Sequence, residues 1–231
     1  MRAVDLDPGA SPIRTFGALI DRTKDDISQL RFIPEWVGPG QRLPIFDTGS
    51  LRDFAADRER RLLLAELLAS YTHIASGRVW SRTPRGWRKR AYSELDPLWL
   101  AELIASLPEP QRGAALRRLG DLALFLAGVF PDHVARRPME PRHLARIVRA
   151  IETTEGRVGA PPIASGAFSE GGVTVLEWLG RVCYQLAAKH SPREGEILGV
   201  VAERFVDARR FLNVLTDRYL FPVRERWFPL A

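Results

Sequence analysis

The acidic residue best placed for chemistry is Asp121, which directly precedes nine consecutive residues, 122–130, that are all apolar or glycine. A helix with such a run has no solvent-facing side, so it must lie among other helices and bury much of Asp121 with it. Burial shifts the pKa of a carboxyl group and can prepare it for acid or base catalysis. The structural alternative is a hydrogen bond or ion pair that fixes the helix, for which the sequence offers Arg117, Arg118 and Arg181.

Three further acids lie on the last two predicted helices and are expected to join Asp121 in a polar cluster. Such a cluster would make the protein an enzyme or a small-molecule binder, with a site between the central helix and the last two helices under a long loop at 153–172. The candidate catalytic residues are Asp121, Glu177, Glu203 and Asp207. The sequence identifies no substrate for this site.

A second group of residues, suited to binding, lies in the basic segment 78–92. This segment contains six of the 34 basic residues of the chain and no acidic residue, so it accounts for the whole formal net charge of +6. Strand-favouring residues alternate on both sides of Pro84-Arg85-Gly86, which predicts a short β-hairpin. The predicted partner-binding residues are Arg78, Trp80, Arg82, Arg85, Trp87, Arg88, Lys89 and Arg90.

Basic side chains interleaved with tryptophans are typical of a surface that binds an acidic macromolecule. The sequence favours an acidic protein over nucleic acid as the partner, because the rest of the chain offers no second basic element. In the structural alternative, the hairpin is a solvated ribbon whose arginine stems cover apolar helix surface while its tryptophans turn inward. The leading hypothesis is a non-enzymatic accessory protein that binds through the hairpin, and the enzyme hypothesis stays open beside it.

Two short motifs resemble catalytic or metal-binding signatures, but each occurs once. The hydrophobic-Asp-Thr-Gly-Ser motif that ends at Ser50 is typical of aspartic proteases, which need two facing aspartates. We therefore interpret it as a turn before a helix that is capped by Ser50. Glu140 and His143 have the Glu-x-x-His spacing of di-iron bundles, which need a second copy and further carboxylates. We therefore predict no metal site.

The sequence predicts no cofactor either. Gly166, Gly171 and Gly172 precede a predicted helix, where backbone N–H groups bind anions, but Glu170 is expected to occupy that helix start. No phosphate-loop or dinucleotide spacing is present. The single cysteine, Cys183, lies in an apolar helical pattern and is expected to be a core residue.

These residues are positioned by a predicted all-α fold: a multi-helix bundle of about seven helices with one short basic β-hairpin, in a single domain over 1–231. The apolar periodicity predicts helices at about 12–31, 50–75, 97–106, 110–130, 141–152, 173–189 and 194–219. Asp96 is the expected N-cap of the third helix. Prolines and glycines predict a loose tail at 1–11, a connecting loop at 33–49, the long loop at 153–172 and a C-terminal strap at 220–231.

The central helix carries a family resemblance. Residues 118–131 contain Leu-Gly-Asp, then an aliphatic and aromatic run, then Phe-Pro. Together with residues 203–207, they resemble a family of uncharacterised bacterial helical proteins that has this signature in mid-chain. The resemblance covers the central and C-terminal helices, and it implies a helical fold and a bacterial origin. It implies no activity, cofactor or site.

The composition is that of an ordinary globular protein, with 45% hydrophobic and 27% charged residues. The apolar run at 122–130 is much shorter than the ~20 residues of a membrane-spanning helix. Two aspartates within the first twelve residues are unlike a signal peptide. We therefore expect a cytoplasmic protein with no membrane partner, and the sequence leaves homo-oligomerisation open.

Overall fold

The computed structural model of the chain describes residues 11–83, 86–137, 139–162, 168–222 and 227–228. Within these ranges lie ten α-helices: α1 (Pro12–Gln29), α2 (Gly49–Ala56), α3 (Arg58–Ser70), α4 (Pro97–Ser106), α5 (Glu109–Val129), α6 (Pro131–Arg136), α7 (Pro141–Glu155), α8 (Phe168–His190), α9 (Gly195–Glu203) and α10 (Phe205–Leu215). A π-helical segment, Thr216–Leu220, follows α10. Four strands in the same ranges form two antiparallel hairpins: β1 (Ile33–Gly38) with β2 (Gln41–Ile45), and β3 (Ser76–Thr83) with β4 (Gly86–Ser93). The predicted all-α fold with a basic hairpin is confirmed.

The described residues contain more helices than the seven predicted, because single residues break two long apolar patterns. Asp57 is extended between α2 and α3 (φ −73°, ψ 130°), and its carboxylate accepts the N–H of Arg60 at 2.9 Å. Arg204 separates α9 from α10 (φ −103°, ψ 29°). The additional helix α6 begins at Pro131, where the sequence predicted only the end of the preceding helix.

The two helix starts that were predicted from capping residues have different outcomes. Asp96 caps α4 as predicted, since its carboxylate accepts the N–H of Leu98 at 2.9 Å. Ser50 is not an N-cap, because α2 begins at Gly49. The hydroxyl of Ser50 instead donates to the carboxylate of Asp207 at 2.7 Å, which ties the start of α2 to α10.

The segment 33–49, predicted as a connecting loop, contains the β1–β2 hairpin, so that prediction was wrong. Pro34 lies opposite Pro44 in the register, and both are tolerated because strands at the edge of a sheet need only part of their N–H groups for pairing. The ring of Trp36 explains why the hairpin is stable. It is buried, and its Nε1–H donates to Asp132 at 2.7 Å, which is a contact across 96 residues of sequence.

Helix α5 lies at the centre of the bundle, in contact with α3, α4, α8 and α10. Its residues 122–125 are at most 1% exposed. Two glycines permit the close approach of its neighbours. A Cβ atom at Gly120 would lie 2.7 Å from the ring of Tyr184, and a Cβ atom at Gly128 would lie 2.6 Å from Cβ of Leu212. Helices α8 and α10 therefore pack against α5 at positions where a larger residue does not fit.

The irregular segment predicted at 153–172 is shorter in the structure. Helix α7 continues to Glu155, and α8 begins at Phe168. Gly156 ends α7 with a φ of +80°, a conformation that favours glycine. Residues 157–162 are irregular, and 163–167 lie outside the described residues.

Little of the predicted terminal segments is described. Residues 1–10 of the predicted tail lie outside the described residues, as do 223–226 and 229–231 of the predicted strap. Phe228 is fully buried, and its ring lies 5.0 Å from that of Phe125, between centroids. This part of the C-terminal segment therefore contributes to the core of the bundle.

Candidate functional site

The β3–β4 hairpin pairs in a regular register over eight residue pairs, from Ser76 opposite Ser93 to Thr83 opposite Gly86. Successive side chains of a strand point to opposite faces of the sheet, and opposed residues share a face. One face, here called the inner face, carries Gly77, Val79, Arg88, Arg90 and Tyr92. The other, here called the outer face, carries Arg78, Trp80, Trp87, Lys89 and Ala91.

The inner face holds the hairpin on α4. The ring of Tyr92 stacks on that of Trp99 with their centroids 5.1 Å apart, and Nη1 of Arg90 lies 2.5 Å from Oε2 of Glu102. Gly77 leaves room for the tyrosine ring opposite it, since a Cβ atom there would lie 3.1 Å from Cε1 of Tyr92. An isolated two-stranded hairpin is marginally stable in water, so these contacts with α4 supply the support that it needs.

The outer face presents two tryptophans to solvent. Trp80 is 62% exposed and Trp87 is 66% exposed. They are diagonal neighbours, because Trp80 is opposite Lys89 and Trp87 lies two residues nearer the turn. Nζ of Lys89 lies 5.4 Å from the ring centroid of Trp80, in a cation–π contact, and Arg78 is exposed on the same face. Tryptophan is highly buried on average, so two exposed rings beside cations indicate a binding surface.

This exposure contradicts the interpretation in which the tryptophans turn inward and the hairpin is only a solvated ribbon. The strand pairing explains the difference. Tyr92 and Arg90, rather than the tryptophans, face α4. The rings of Trp80 and Trp87, which the structural alternative placed against the helices, are therefore exposed to solvent.

The remaining basic residues predicted for partner binding have different positions. Arg88 is exposed on the inner face, and Arg90 on that face is engaged by α4. The backbone of Arg82 pairs with that of Trp87. Arg85 lies outside the described residues. The described part of the predicted binding set is thus divided between the two faces of one ribbon.

Asp121 is buried on α5, and its partners lie on the same helix and on α8. The hydroxyl of Tyr184 donates to Oδ1 at 2.7 Å, and Nε of Arg117 lies 3.9 Å from Oδ2. Burial raises the pKa of Asp121 to about 6, although the hydrogen bond from Tyr184 and the charges of Arg117 and Arg118 oppose the rise. The ion pair with a neighbouring arginine is present, and the tyrosine hydroxyl is a partner that the sequence did not indicate.

The other candidate catalytic acids do not join this pair. Glu177 pairs with Nε of Arg209. The carboxylate of Asp207 lies 2.9 Å from Nη2 of Arg204. Glu203 is exposed. Asp121, Glu177 and Asp207 have separate sets of partners, and Glu203 faces solvent, so the structure does not assemble the predicted catalytic cluster.

A buried ion network connects β1, α8 and α10, and it was not predicted. Arg209 is 5% exposed and donates to Glu177, to Glu35 at 2.5 Å and to Asn213 at 2.8 Å. Arg209 follows Phe205 by four residues, so its place in the buried stripe of α10 could be inferred from the sequence. Glu35 gave no such signal, because it belongs to the segment interpreted as a loop. The charges of this network pair with one another, so its function is to hold β1 against the helices.

The other residues that the sequence analysis considered for catalysis or anion binding lie in the core, in a turn, inside a helix or outside the described residues. Burial raises the pKa of the Cys183 thiol, which disfavours a reactive thiolate. Asp47 of the Asp-Thr-Gly motif accepts the N–H of Gly49 at 3.2 Å and so forms the turn before α2. Gly166 lies outside the described residues, and Gly172 lies inside α8 rather than before it.

Two findings concern the described residues as a set. They contain no group of three His, Cys, Asp or Glu residues that could hold a metal ion. Their helices are all too short or too polar to cross a membrane.

No protein-family model matches the chain, and neither a curated protein nor a solved structure matches it. The resemblance of residues 118–131 to bacterial helical proteins therefore stays a prediction.

Proposed function

We propose that this chain is a non-enzymatic accessory protein that binds an acidic protein partner through the outer face of the β3–β4 hairpin. The observation that carries the proposal is the joint exposure of Trp80 and Trp87 beside Arg78 and Lys89. Aromatic rings that favour tight binding and cations that favour acidic partners thus share one surface. A cytoplasmic location is part of the same proposal.

The two tryptophans supply most of the expected binding energy. Burying one exposed ring removes on the order of 150 Å² of apolar surface from water, which is worth about 3 to 4 kcal/mol at about 25 cal/mol per Å². Tryptophan and arginine are enriched among the residues that dominate protein interfaces. Because the inner face already holds the hairpin on α4, a partner orders little additional chain when it binds.

The cations select the charge of the partner. Segment 78–92 has six basic residues and no acidic residue, while the rest of the chain is formally neutral. The electrostatic potential near the hairpin is therefore positive and attracts acidic side chains. Exposed pairs of this kind raise the association rate more than the affinity, and salt weakens them.

The base of the hairpin favours an acidic protein over nucleic acid. A nucleic-acid backbone is followed by a continuous basic track over several phosphates. Here the chain beyond the hairpin carries Glu94 and Glu102, which pair with Arg118 and Arg90. These acids interrupt the basic surface at the base of the hairpin, which suits a compact acidic patch on a protein.

Affinity capture from extracts of cells that contain this protein tests the proposal. We expect the wild-type chain to retain an acidic protein that the Trp80→Ala/Trp87→Ala variant loses, and we expect added salt to weaken that capture. The matched control is Leu43→Ala/Phe46→Ala, which removes two apolar side chains that are 58% and 73% exposed near the other hairpin. This control should retain the partner.

Two results would contradict the proposal. The first is that the tryptophan variant and the wild-type chain retain the same proteins. The second is that nuclease treatment removes everything that the outer face captures, which would identify nucleic acid as the partner.

A further inference from the structure

A cavity of about 1150 Å³ lies between α4, α6, α7 and the first turns of α8, at the base of the β3–β4 hairpin. Its volume is slightly above that of typical small-molecule sites, which measure roughly 300–1,000 Å³. Its lining contains neither Asp121 nor the tryptophans of the outer face. The cavity is therefore separate from both sites considered above.

One part of the cavity wall consists of buried apolar side chains. Six of its hydrophobic side chains are at most 9% exposed, and they come from distant parts of the chain: Leu98, Phe130, Val134, Ile147, Leu176 and Phe228. A wall of this kind offers few hydrogen bonds to water, so an apolar ligand displaces water from it favourably. The wall therefore favours a ligand with a hydrocarbon or aromatic part.

The rim of the cavity favours an anion. Of its two acids, Glu140 pairs with Arg142, which does not line the cavity, and the carboxylate of Asp96 accepts the N–H of Leu98 at the start of α4. Arg137 is exposed at the rim, and its guanidinium offers N–H donors in a planar fork that matches a carboxylate or a phosphate. His143, which is half-buried, adds a ring that can donate a hydrogen bond.

We propose that this cavity binds a small anionic amphiphile. Its apolar body lies against the wall, and its head group, a carboxylate or a phosphate, lies at Arg137 and His143. The planar guanidinium group pairs with either head group through two parallel hydrogen bonds. This proposal does not depend on the partner of the hairpin.

Calorimetric titration of the purified full-length chain tests the proposal with four probes of one chain length: decanoate, decyl phosphate, decanol and decyltrimethylammonium, each below its micellar concentration. We expect decanoate or decyl phosphate to bind at one site per chain, about tenfold or more tightly than the cation. The difference between the two anions identifies the preferred head group. Equal binding of anions and cation, or no binding of either anion, would overturn the proposal.

Variants at the rim and the wall locate the binding site. Arg137→Gln should weaken the binding of the anions about tenfold and leave decanol unchanged. Arg136→Gln is the matched control, since Arg136 is exposed on α6 and does not line the cavity. Leu176→Trp should fill the wall and weaken all bound probes. Thermal unfolding shows whether the Leu176→Trp variant folds. If it does not fold, the Arg137→Gln variant, which changes an exposed residue, still tests the location of the binding site.

The outer face also combines apolar rings with cations, so it needs its own control. Trp80→Ala/Trp87→Ala should leave the binding of the anionic probes unchanged. Loss of binding in that variant would assign the amphiphile to the hairpin and overturn the proposal, as would unchanged anion binding in Arg137→Gln.

Discussion

At the scale of single residues, Asp121 makes the stability of the fold depend on pH. Its pKa is about 6 in the folded chain, compared with 3.8 for an exposed aspartate. The folded state therefore favours the protonated form. The contribution of the protonated Asp121 to the free energy of unfolding is complete below about pH 3.8, and it is lost as the pH rises through 6. The loss is up to about 3 kcal/mol, at 1.36 kcal/mol for each pKa unit.

The variant Asp121→Asn tests this dependence, because asparagine keeps an oxygen that accepts the hydroxyl of Tyr184. We expect the free energy of unfolding of the variant, relative to wild type, to rise by up to about 3 kcal/mol between about pH 4 and about pH 7. Urea unfolding at the two pH values measures the difference. An equal difference at both pH values would show that Asp121 titrates like an exposed aspartate.

Among the proposed substitutions, replacement of Arg209 is expected to lower the free energy of unfolding most. Arg209→Met removes the main partner of the buried Glu35 and of the half-buried Glu177, and breaking a buried ion pair in this way costs about 3 to 5 kcal/mol. Arg210→Met is the control, because it removes a second, half-buried partner of Glu35 and leaves Arg209 in place. Urea unfolding should show a clearly smaller loss for the control. Equal losses would contradict the network described here.

At the scale of the elements, the inner face of the β3–β4 hairpin determines whether the outer face is presented in one orientation. Tyr92→Ala removes the stacking on Trp99, which is worth about 0.5–1.5 kcal/mol beyond burial. Amide hydrogen exchange over 76–93 should accelerate by up to about tenfold, while exchange in α5 stays unchanged. Val79→Ala, at a position that is 41% exposed on the same face, is the control. Equal exchange in Tyr92→Ala and wild type would show that α4 does not hold the hairpin.

For the candidate site, the sequence predicted the hairpin but not the register in which β3 pairs with β4. Alternation around the turn predicted the hairpin and its basic residues, and the pairing of β3 with β4 confirms the hairpin. The sequence did not decide whether Trp80 and Trp87 share a face, because a register shifted by one residue would place them on opposite faces. The observed pairing, with Trp80 opposite Lys89, places both rings on the outer face.

For the rest of the fold, the sequence predicted the elements that depend on local patterns and missed those that depend on contacts between distant residues. Asp96 and the apolar periodicity are local, and they predicted α4 and most of the helices. The β1–β2 hairpin depends on the contact of Trp36 with Asp132, which no local pattern reveals. Prolines and glycines alone favoured a loop, and the tertiary contact outweighed that preference.

At the scale of the whole molecule, the chain divides into a neutral helical bundle and a basic ribbon. The buried helix α5 organises the bundle and explains its packing, but its residues are occupied by the core and by the structural pair of Asp121 with Tyr184. The net charge and the two exposed tryptophans belong to the hairpin. A function carried out by binding therefore fits this division better than catalysis inside the bundle.

Site-specific photo-crosslinking in living cells tests this central claim most directly. A benzoylphenylalanine residue replaces Trp80 in one variant and Phe46, which is exposed outside the β3–β4 hairpin, in the control. The account predicts that position 80 forms adducts with acidic segments of one protein and that position 46 does not. The same adducts at both positions, or adducts at position 80 with nucleic acid alone, would contradict it.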